Sequence, residues 1–232
     1  MRAIILAGGL GTRLSEETYN KPKPMVKVGS LTLLEHIMET YAFSNIKEFI
    51  IATGYLSETI EKYFKDFTKY KVTIMYTGEE TQTGGRLKKV VEQFPDEMFC
   101  ATYGDGLANI DIDKSIKFHL QHKKIATVTA VRPQARFGRL TIENQKVVRF
   151  DEKLQLEEGW VNGGFFVLNR NIIDYIDGDS SPFEAAPLKK LTMESQLMAF
   201  QHHGFWSPVD TLREKNELED LWVKEKAPWL IV

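Results

Sequence analysis

Met1-Arg-Ala-Ile-Ile-Leu-Ala-Gly-Gly-Leu-Gly-Thr-Arg-Leu14, followed closely by Lys21-Pro-Lys-Pro-Met25, opens the chain. Ile4, Ile5, Leu6 and Ala7 form a short apolar run of the kind a buried strand needs. The run stops at Gly8, Gly9 and Gly11. A glycine turn at the carboxyl end of a strand brings bare backbone N–H groups within reach of phosphate oxygens, because no Cβ blocks the approach. Thr12 and Arg13 lie in the turn, and Lys21 and Lys23 sit on a segment stiffened by Pro22 and Pro24. Fixed and mobile positive charge therefore stands beside a turn suited to phosphate. The plainer readings are a tight turn or a dinucleotide-binding loop. Against the second, Leu14 occupies the place of the third glycine in Gly-x-Gly-x-x-Gly, and no Gly-Lys-Ser/Thr of a Walker A loop follows.

Working outward, apolar β-branched runs alternate with helical patterns. Glu48–Thr53, Val72–Tyr76, Met98–Tyr103 and Ala126–Val131 read as strands. Leu33–Tyr41, a segment capped by Ser57 and running through Phe64, Arg86–Phe94 and Asp113–His122 read as helices. This order predicts an α/β fold: a three-layer, doubly wound, mostly parallel sheet. The second half changes character. Gly138–Ile142 and Lys146–Asp151 read as a hairpin, and Gly164–Asn169 and Met198–His202 as strands. Asn171–Ile176 and Pro187–Thr192 read as short helices, and Thr211 opens a final one. We expect a single domain, with residues 1–131 binding nucleotide and 132–232 adding a small β-rich acceptor subregion.

Composition narrows the class. The 232 residues are 43% hydrophobic and 27% charged, with a formal net charge of -2, so no polybasic surface for nucleic acid or membrane is expected. Cys100 is the only cysteine, which excludes an internal disulfide and fits a reducing cytoplasm. No basic-then-apolar leader opens the sequence, and no apolar run approaches the ~18 residues of a membrane span.

Two aspartates add a second chemical signal. Asp105 stands between Gly104 and Gly106 just beyond a predicted strand, and Asp210 precedes a helix beside Trp206. Either alone reads as a turn residue or helix cap. Together they suit Mg²⁺, which takes one or two carboxylates plus phosphate oxygens and water. His202 and His203 alternate faces on a predicted strand and are read as structural or surface residues rather than metal ligands.

The glycine turn with Lys21-Pro-Lys-Pro, and the blocks Thr83-Gly-Gly-Arg-Leu-Lys, Thr102-Tyr-Gly-Asp-Gly, Arg136-Phe-Gly, Asn162-Gly-Gly-Phe-Phe-Val-Leu and Gly204-Phe-Trp-x-Pro-x-Asp-Thr-Leu-Arg, occur in one order along nearly the whole chain. In these the sequence resembles the sugar-phosphate nucleotidylyltransferase family, with its Rossmann-like, GT-A-like fold. Within that family it is most similar to the bacterial glucose-1-phosphate cytidylyltransferases. The resemblance implies transfer of CMP from CTP to a small phosphorylated acceptor, with Mg²⁺ on Asp105 and Asp210. It implies nucleotide contacts from Leu6, Ala7, Gly8, Gly9, Gly11, Thr12, Arg13, Lys23, Thr83, Gly84, Gly85, Arg86 and Asp105. Lys23 is the expected catalytic cation, with Lys21 the alternative, and Arg13 neutralises the departing phosphates. Gly84 and Gly85 are expected to let a flat base lie on the backbone while Arg86 reaches the cytosine carbonyl.

Acceptor contacts implied in the same way are Tyr103, Glu152, Lys153, Asn162 and Gly163, with Trp160, Phe165, Phe205 and Trp206 as candidate walls. The implied assembly is a cytoplasmic homo-oligomer. Two departures fall on the acceptor side: Tyr63-Phe64 passes almost directly to Val72, and Leu154 follows Glu152-Lys153 where the family has proline. Glucose 1-phosphate leads as acceptor, with another sugar phosphate, phosphocholine or a phosphorylated amino acid as the alternatives. A non-catalytic nucleotide-binding subunit is the rival from another class.

Overall fold

Strand β1 (Ala3–Ala7) is buried along its whole length, as its apolar run predicts. It lies inside a seven-stranded sheet in a computed structural model that describes residues 1–133, 139–151 and 159–230. A short turn of helix, α1 (Ser15–Thr18), and two brief strands, β2 (Lys27–Val28) and β3 (Leu31–Thr32), follow the glycine turn.

Parallel strands of one sheet need crossover connections, and helices supply them here. Helix α2 (Leu33–Phe43) leads to β4 (Glu48–Thr53), and α3 (Ser57–Phe64) leads to β5 (Lys71–Tyr76). Helix α4 (Thr83–Gln93) leads to β6 (Met98–Tyr103). The short strand β7 (Gly106–Ala108) and α5 (Ile112–His122) then lead to β8 (Ala126–Val131). Strands β9 (Arg139–Glu143) and β10 (Lys146–Asp151) form the expected hairpin, although Gly138 lies outside the described residues. Strand β11 (Val161–Asn169) returns to the sheet, α6 (Ala186–Met193) precedes β12 (Leu197–Gln201), and β13 (Trp206–Pro208) precedes α7 (Leu212–Val223).

The sheet order is β12-β8-β11-β6-β1-β4-β5, and only β11 runs antiparallel to its neighbours. Apolar side chains cover both faces. On one, Leu34, Ile37 and Tyr41 of α2 pack with Ile60 of α3 and Leu218 of α7. On the other, Leu87, Val90 and Val91 of α4 pack with Phe183 and Leu191. The fold is thus the three-layer, mostly parallel α/β sheet expected from the alternation.

Several local readings change. Helix α4 begins at Thr83, so Thr83-Gly-Gly is its first turn and not a loop before it. Ser57 is the first residue of α3 rather than its cap; its hydroxyl donates to Glu61, and Leu56 takes the cap position at φ 52°. Residues Arg170–Tyr175 form a 3-10 turn. Helix α3 ends at Phe64 and β5 starts at Lys71, which bears out the short connection read there.

Candidate active site

The carboxyl ends of β1 and β6 and the amino end of the antiparallel β11 open into a cleft of about 1420 Å³. Ligand pockets usually span roughly 300–1,000 Å³, so the cleft has room for two substrates side by side. Leu6, Ala7, Gly9, Gly11 and Thr12 line it from the glycine turn, with Lys23, Thr83, Tyr103, Asp105, Asn162, Gly163 and Asp210. Open ends of parallel strands are where α/β sheets bind ligands, because side chains and loops there are free of the ladder.

Asp105 and Asp210 are brought together by a two-stranded antiparallel ribbon. Pro208 of β13 pairs with Gly106 of β7, and Val209 N–H donates to the Asp105 carbonyl at 2.8 Å. The residues just outside that pairing are the two aspartates. Lys23 reaches the same point from the Lys-Pro-Lys-Pro segment, whose residues Lys23–Met25 form a tight 3-10 turn. A Cβ on Gly104 would stand 2.7 Å from Pro24, so a glycine there lets this segment close on the Asp105 loop.

Lys23 Nζ donates to Asp105 Oδ2 at 2.7 Å and to Asp210 Oδ1 at 2.5 Å. Burial by itself would pull the ammonium below its ordinary range; the charges and hydrogen bonds of Asp105 and Asp210 outweigh it and hold Lys23 above that range. Two carboxylates that close on one cation have the spacing and hard oxygen donors that a divalent ion of the magnesium type requires. Among the described residues, no group of three or more His, Cys, Asp or Glu side chains could hold a metal. An ion on this pair would therefore complete its shell with phosphate oxygens and water. Lys21, the alternative cation, pairs instead with Glu17 at 3.1 Å.

The expectation for Arg86 needs correction. The residue is 3% exposed, and its guanidinium donates to the carbonyls of Thr53, Gly78, Gly8 and Glu79 and to the Thr77 hydroxyl. Arg86 thus ties the glycine turn to the ends of β4 and β5, and these five hydrogen bonds reach protein atoms beneath the turn. A Cβ on Gly8 would fall 2.2 Å from the Arg86 guanidinium carbon, so the turn has to be glycine where it crosses this side chain. Gly84 and Gly85 also differ from their reading as a platform for the base. They press against the backbone of Ser181 and Asp179, where a Cβ would stand 2.5 and 2.6 Å from the nearest atom. Thr83 alone of that block lines the cleft.

On the other side, Trp206 Nε1 donates to the Gly163 carbonyl at 2.8 Å and, with Phe165 and Phe205, walls the cleft as expected. Trp160 does not; it meets His203 edge to face, and the Arg132 guanidinium lies over its ring. His202 is buried and bonded to the Phe205 carbonyl, a structural role. Tyr103 is pushed well above the ordinary phenol range by burial and by the neighbouring Glu184 carboxylate, so its hydroxyl stays a neutral donor. Asn162 Nδ2 lies 3.4 Å from that hydroxyl. Glu152, Lys153, Leu154 and Arg136-Phe-Gly lie outside the described residues, as does the side chain of Arg13. Glu184 and Arg213 line the cleft and were not singled out in the sequence. Glu184 stands in none of the glycine-rich or strand-end blocks, and Arg213 only closes the block in which Asp210 drew the attention.

Comparison with known proteins gives one answer. The nucleotidyl transferase family profile matches residues 2–215. The glucose-1-phosphate cytidylyltransferases of Salmonella typhi and Salmonella typhimurium are each 47% identical over 253 aligned residues, covering 99% of this chain and 98% of theirs. That alignment is longer than the 232-residue chain, so the relatives hold residues that it lacks. Among solved structures, HddC from Yersinia pseudotuberculosis complexed with GMP-PN superimposes with a TM-score of 0.77 at 26% identity, over 95% of this chain and 99% of HddC.

Proposed function

Because the chain belongs to the nucleotidyl transferase family, we propose that it joins CMP from CTP to α-D-glucose 1-phosphate, giving CDP-glucose and pyrophosphate. The observation that carries the reaction class is the convergence of Lys23, Asp105 and Asp210 beside the glycine turn. The choice of CTP and glucose 1-phosphate is supported by the identity to the Salmonella cytidylyltransferases across both chains.

In this reading the triphosphate lies along Gly9, Gly11 and Thr12, whose backbone meets its oxygens without side-chain hindrance. An oxygen of the acceptor phosphate attacks the α-phosphorus in line. The bond from that phosphorus to the β-bridging oxygen breaks, and its electron pair leaves with pyrophosphate. The acceptor phosphate is already an anion, so no general base and no covalent enzyme intermediate are required. Held by Asp105 and Asp210, Mg²⁺ would supply charge neutralisation to the phosphate oxygens. Lys23 would meet negative charge as it builds on the α-phosphoryl group, and Arg13, assigned from the sequence alone, would meet the β- and γ-phosphates. Tyr103, Asn162 and Gly163 form the acceptor side, with Glu152 and Lys153 assigned there from the sequence alone. The remaining parts of the reading are a homo-oligomer working in the cytoplasm on polysaccharide precursors. The single buried cysteine and the lack of any helix long and apolar enough to cross a membrane, among the described residues, fit that setting.

A panel of phosphates tests the reading: glucose 1-phosphate, other sugar 1-phosphates, phosphocholine and phosphoserine, each with CTP and Mg²⁺, followed by pyrophosphate release. Glucose 1-phosphate should give the highest kcat/KM, and UTP or GTP should replace CTP poorly. No turnover of glucose 1-phosphate overturns the acceptor, and no pyrophosphate with any member overturns the enzyme assignment.

A further inference from the structure

Glu184 stands on the loop before α6, exposed at the edge of the cleft, and its carboxylate is held in place from below. Thr83 Oγ1 donates to Glu184 Oε2 at 2.7 Å and accepts from the Phe183 N–H at 2.8 Å. One hydroxyl thus fixes both the side chain and the backbone that carries it. Thr83 is itself the first residue of α4, anchored where Gly84 N–H donates to the Ser181 carbonyl. A carboxylate with such a strut holds its direction better than one on a free surface.

The neighbours of Glu184 define what it can bind. Tyr103 stands beside it and Asn162 beside Tyr103. The Tyr103 ring lies over Gly164 of β11, where a Cβ would be 2.5 Å from it, so this corner belongs to the side of the cleft away from the glycine turn. Thr83, Tyr103, Asn162 and Glu184 offer two hydroxyls, an amide and a carboxylate, without a cation among the four. A phosphate at this corner would face a carboxylate with nothing to offset the repulsion. A sugar ring presents hydroxyl donors, and a carboxylate has about four acceptor sites, of which Thr83 takes one and Tyr103 another.

We infer that Glu184 is a specificity-determining residue that accepts hydrogen bonds from the ring hydroxyls of the acceptor, with Thr83 as its positioning residue. This deepens the sugar-phosphate reading above and rests on it. Bonds from a neutral hydroxyl to a charged oxygen discriminate against an analogue that lacks the hydroxyl, because the carboxylate oxygen, once the bound ring covers it, is left without a partner.

Steady-state kinetics on the wild type, Glu184→Gln and Thr83→Val test it, with the nucleotide and the acceptor varied in turn. Thermal melts establish that each variant is folded, as the exposure of Glu184 leads one to expect. Glu184→Gln should raise the acceptor KM roughly 10- to 100-fold, the cost of a lost charge-assisted bond, and leave the CTP KM within about twofold. Thr83→Val should move the acceptor KM in the same direction by less. Wild-type enzyme should prefer glucose 1-phosphate over at least one monodeoxy analogue, and Glu184→Gln should erase that preference. A rise in the CTP KM instead, an equal rise in both, or no change in either overturns the inference while leaving the reaction intact. If the wild type turns over only non-sugar phosphates, the acceptor reading fails first and this inference falls with it.

Discussion

Lys23 Nζ sits 2.5 Å from Asp210 Oδ1 and makes a second ion pair with Asp105, so one ammonium holds two carboxylates on the cleft floor. Lysine and a divalent ion would compete for the same oxygens. Replacing the lysine by Lys23→Met leaves Asp105 and Asp210 facing each other. Their side chains are 36% and 20% exposed, so solvent screens much of the repulsion and the loss should be modest, about 1–2 kcal/mol. Mg²⁺ without nucleotide should then raise the melting temperature of Lys23→Met by several degrees and that of the wild type by much less. Equal responses of the two proteins would show that Lys23 does not occupy the cation position.

Asp105→Asn and Asp210→Asn should each cut turnover by roughly 10²- to 10⁴-fold, since the ion they are proposed to hold contributes several kcal/mol of charge stabilisation. Both variants should stay folded. The ribbon that aligns them is made by backbone pairing of Trp206–Pro208 with Gly106–Ala108, which the substitution leaves alone. Circular dichroism and a urea midpoint close to wild type, together with lost pyrophosphate release, are the expected pair of results. An active Asp105→Asn enzyme would refute the ion assignment.

That ribbon also marks the limit of what was legible in the chain. The glycine turn, the alternation of strands and helices and the glycine-flanked Asp105 all stand out locally, through apolar runs and turn residues. The meeting of Asp105 with Asp210 does not, because the strands that bring them together are only three residues each, too short for a period of two to show. The sequence resemblance, not the pattern, joined the two. Arg86 failed for another reason. The sequence reads it as the first residue of its helix, reaching for the base from beside two glycines, whereas α4 starts three residues earlier and turns the guanidinium under the sheet ends. A charged side chain spent on carbonyls has no sequence signature, since its partners Gly8, Thr53 and Gly78 come from three different segments.

Arg86→Ala should therefore act through the fold. It strands buried acceptors from Gly8, Thr53 and Gly78 and opens space beneath the turn, at a cost of about 3–5 kcal/mol. For a chain of this length that is a drop in melting temperature of roughly 6–20 °C. Arg86→Lys restores the charge but not the planar fork that reaches several acceptors at once, and should recover only part of the loss. Gly8→Ala, which drives a methyl into the same guanidinium, should mimic it. Urea titrations of the three variants check the order. Wild-type stability with impaired CTP binding would return Arg86 to the role of a base contact.

On the far side of the molecule, His119 and His122 belong to a closed hydrogen-bond ring that sets a pH limit on stability. Asn169 Nδ2 donates to the Lys124 carbonyl, so its Oδ1 accepts from His119 Nε2. His119 Nδ1 then accepts from the Thr127 hydroxyl, which accepts in turn from His122 Nε2, while His122 Nδ1 accepts from the Lys124 N–H. Each imidazole is neutral in this arrangement, and a proton added to either ring has no acceptor waiting. Burial holds both below the ordinary histidine range, helped at His122 by the positive charge that His119 can carry and by that of Lys124, and burial also lowers His36 and His202. In the unfolded chain these rings titrate near ~6.5. Above that pH both states are neutral and stability is complete. As pH falls below it, the unfolded chain takes up protons that the folded protein refuses, and stability declines until the depressed folded pKa is passed. Each histidine contributes a slope of up to about 1.4 kcal/mol per pH unit across that window. The urea midpoint should hold steady from pH 8 to 7 and drop between pH 6.5 and 5. His119→Asn, which keeps a small polar side chain but cannot titrate, should lower the midpoint at pH 8 and make the acid slope shallower. An unchanged acid slope in that variant would assign the loss to other groups.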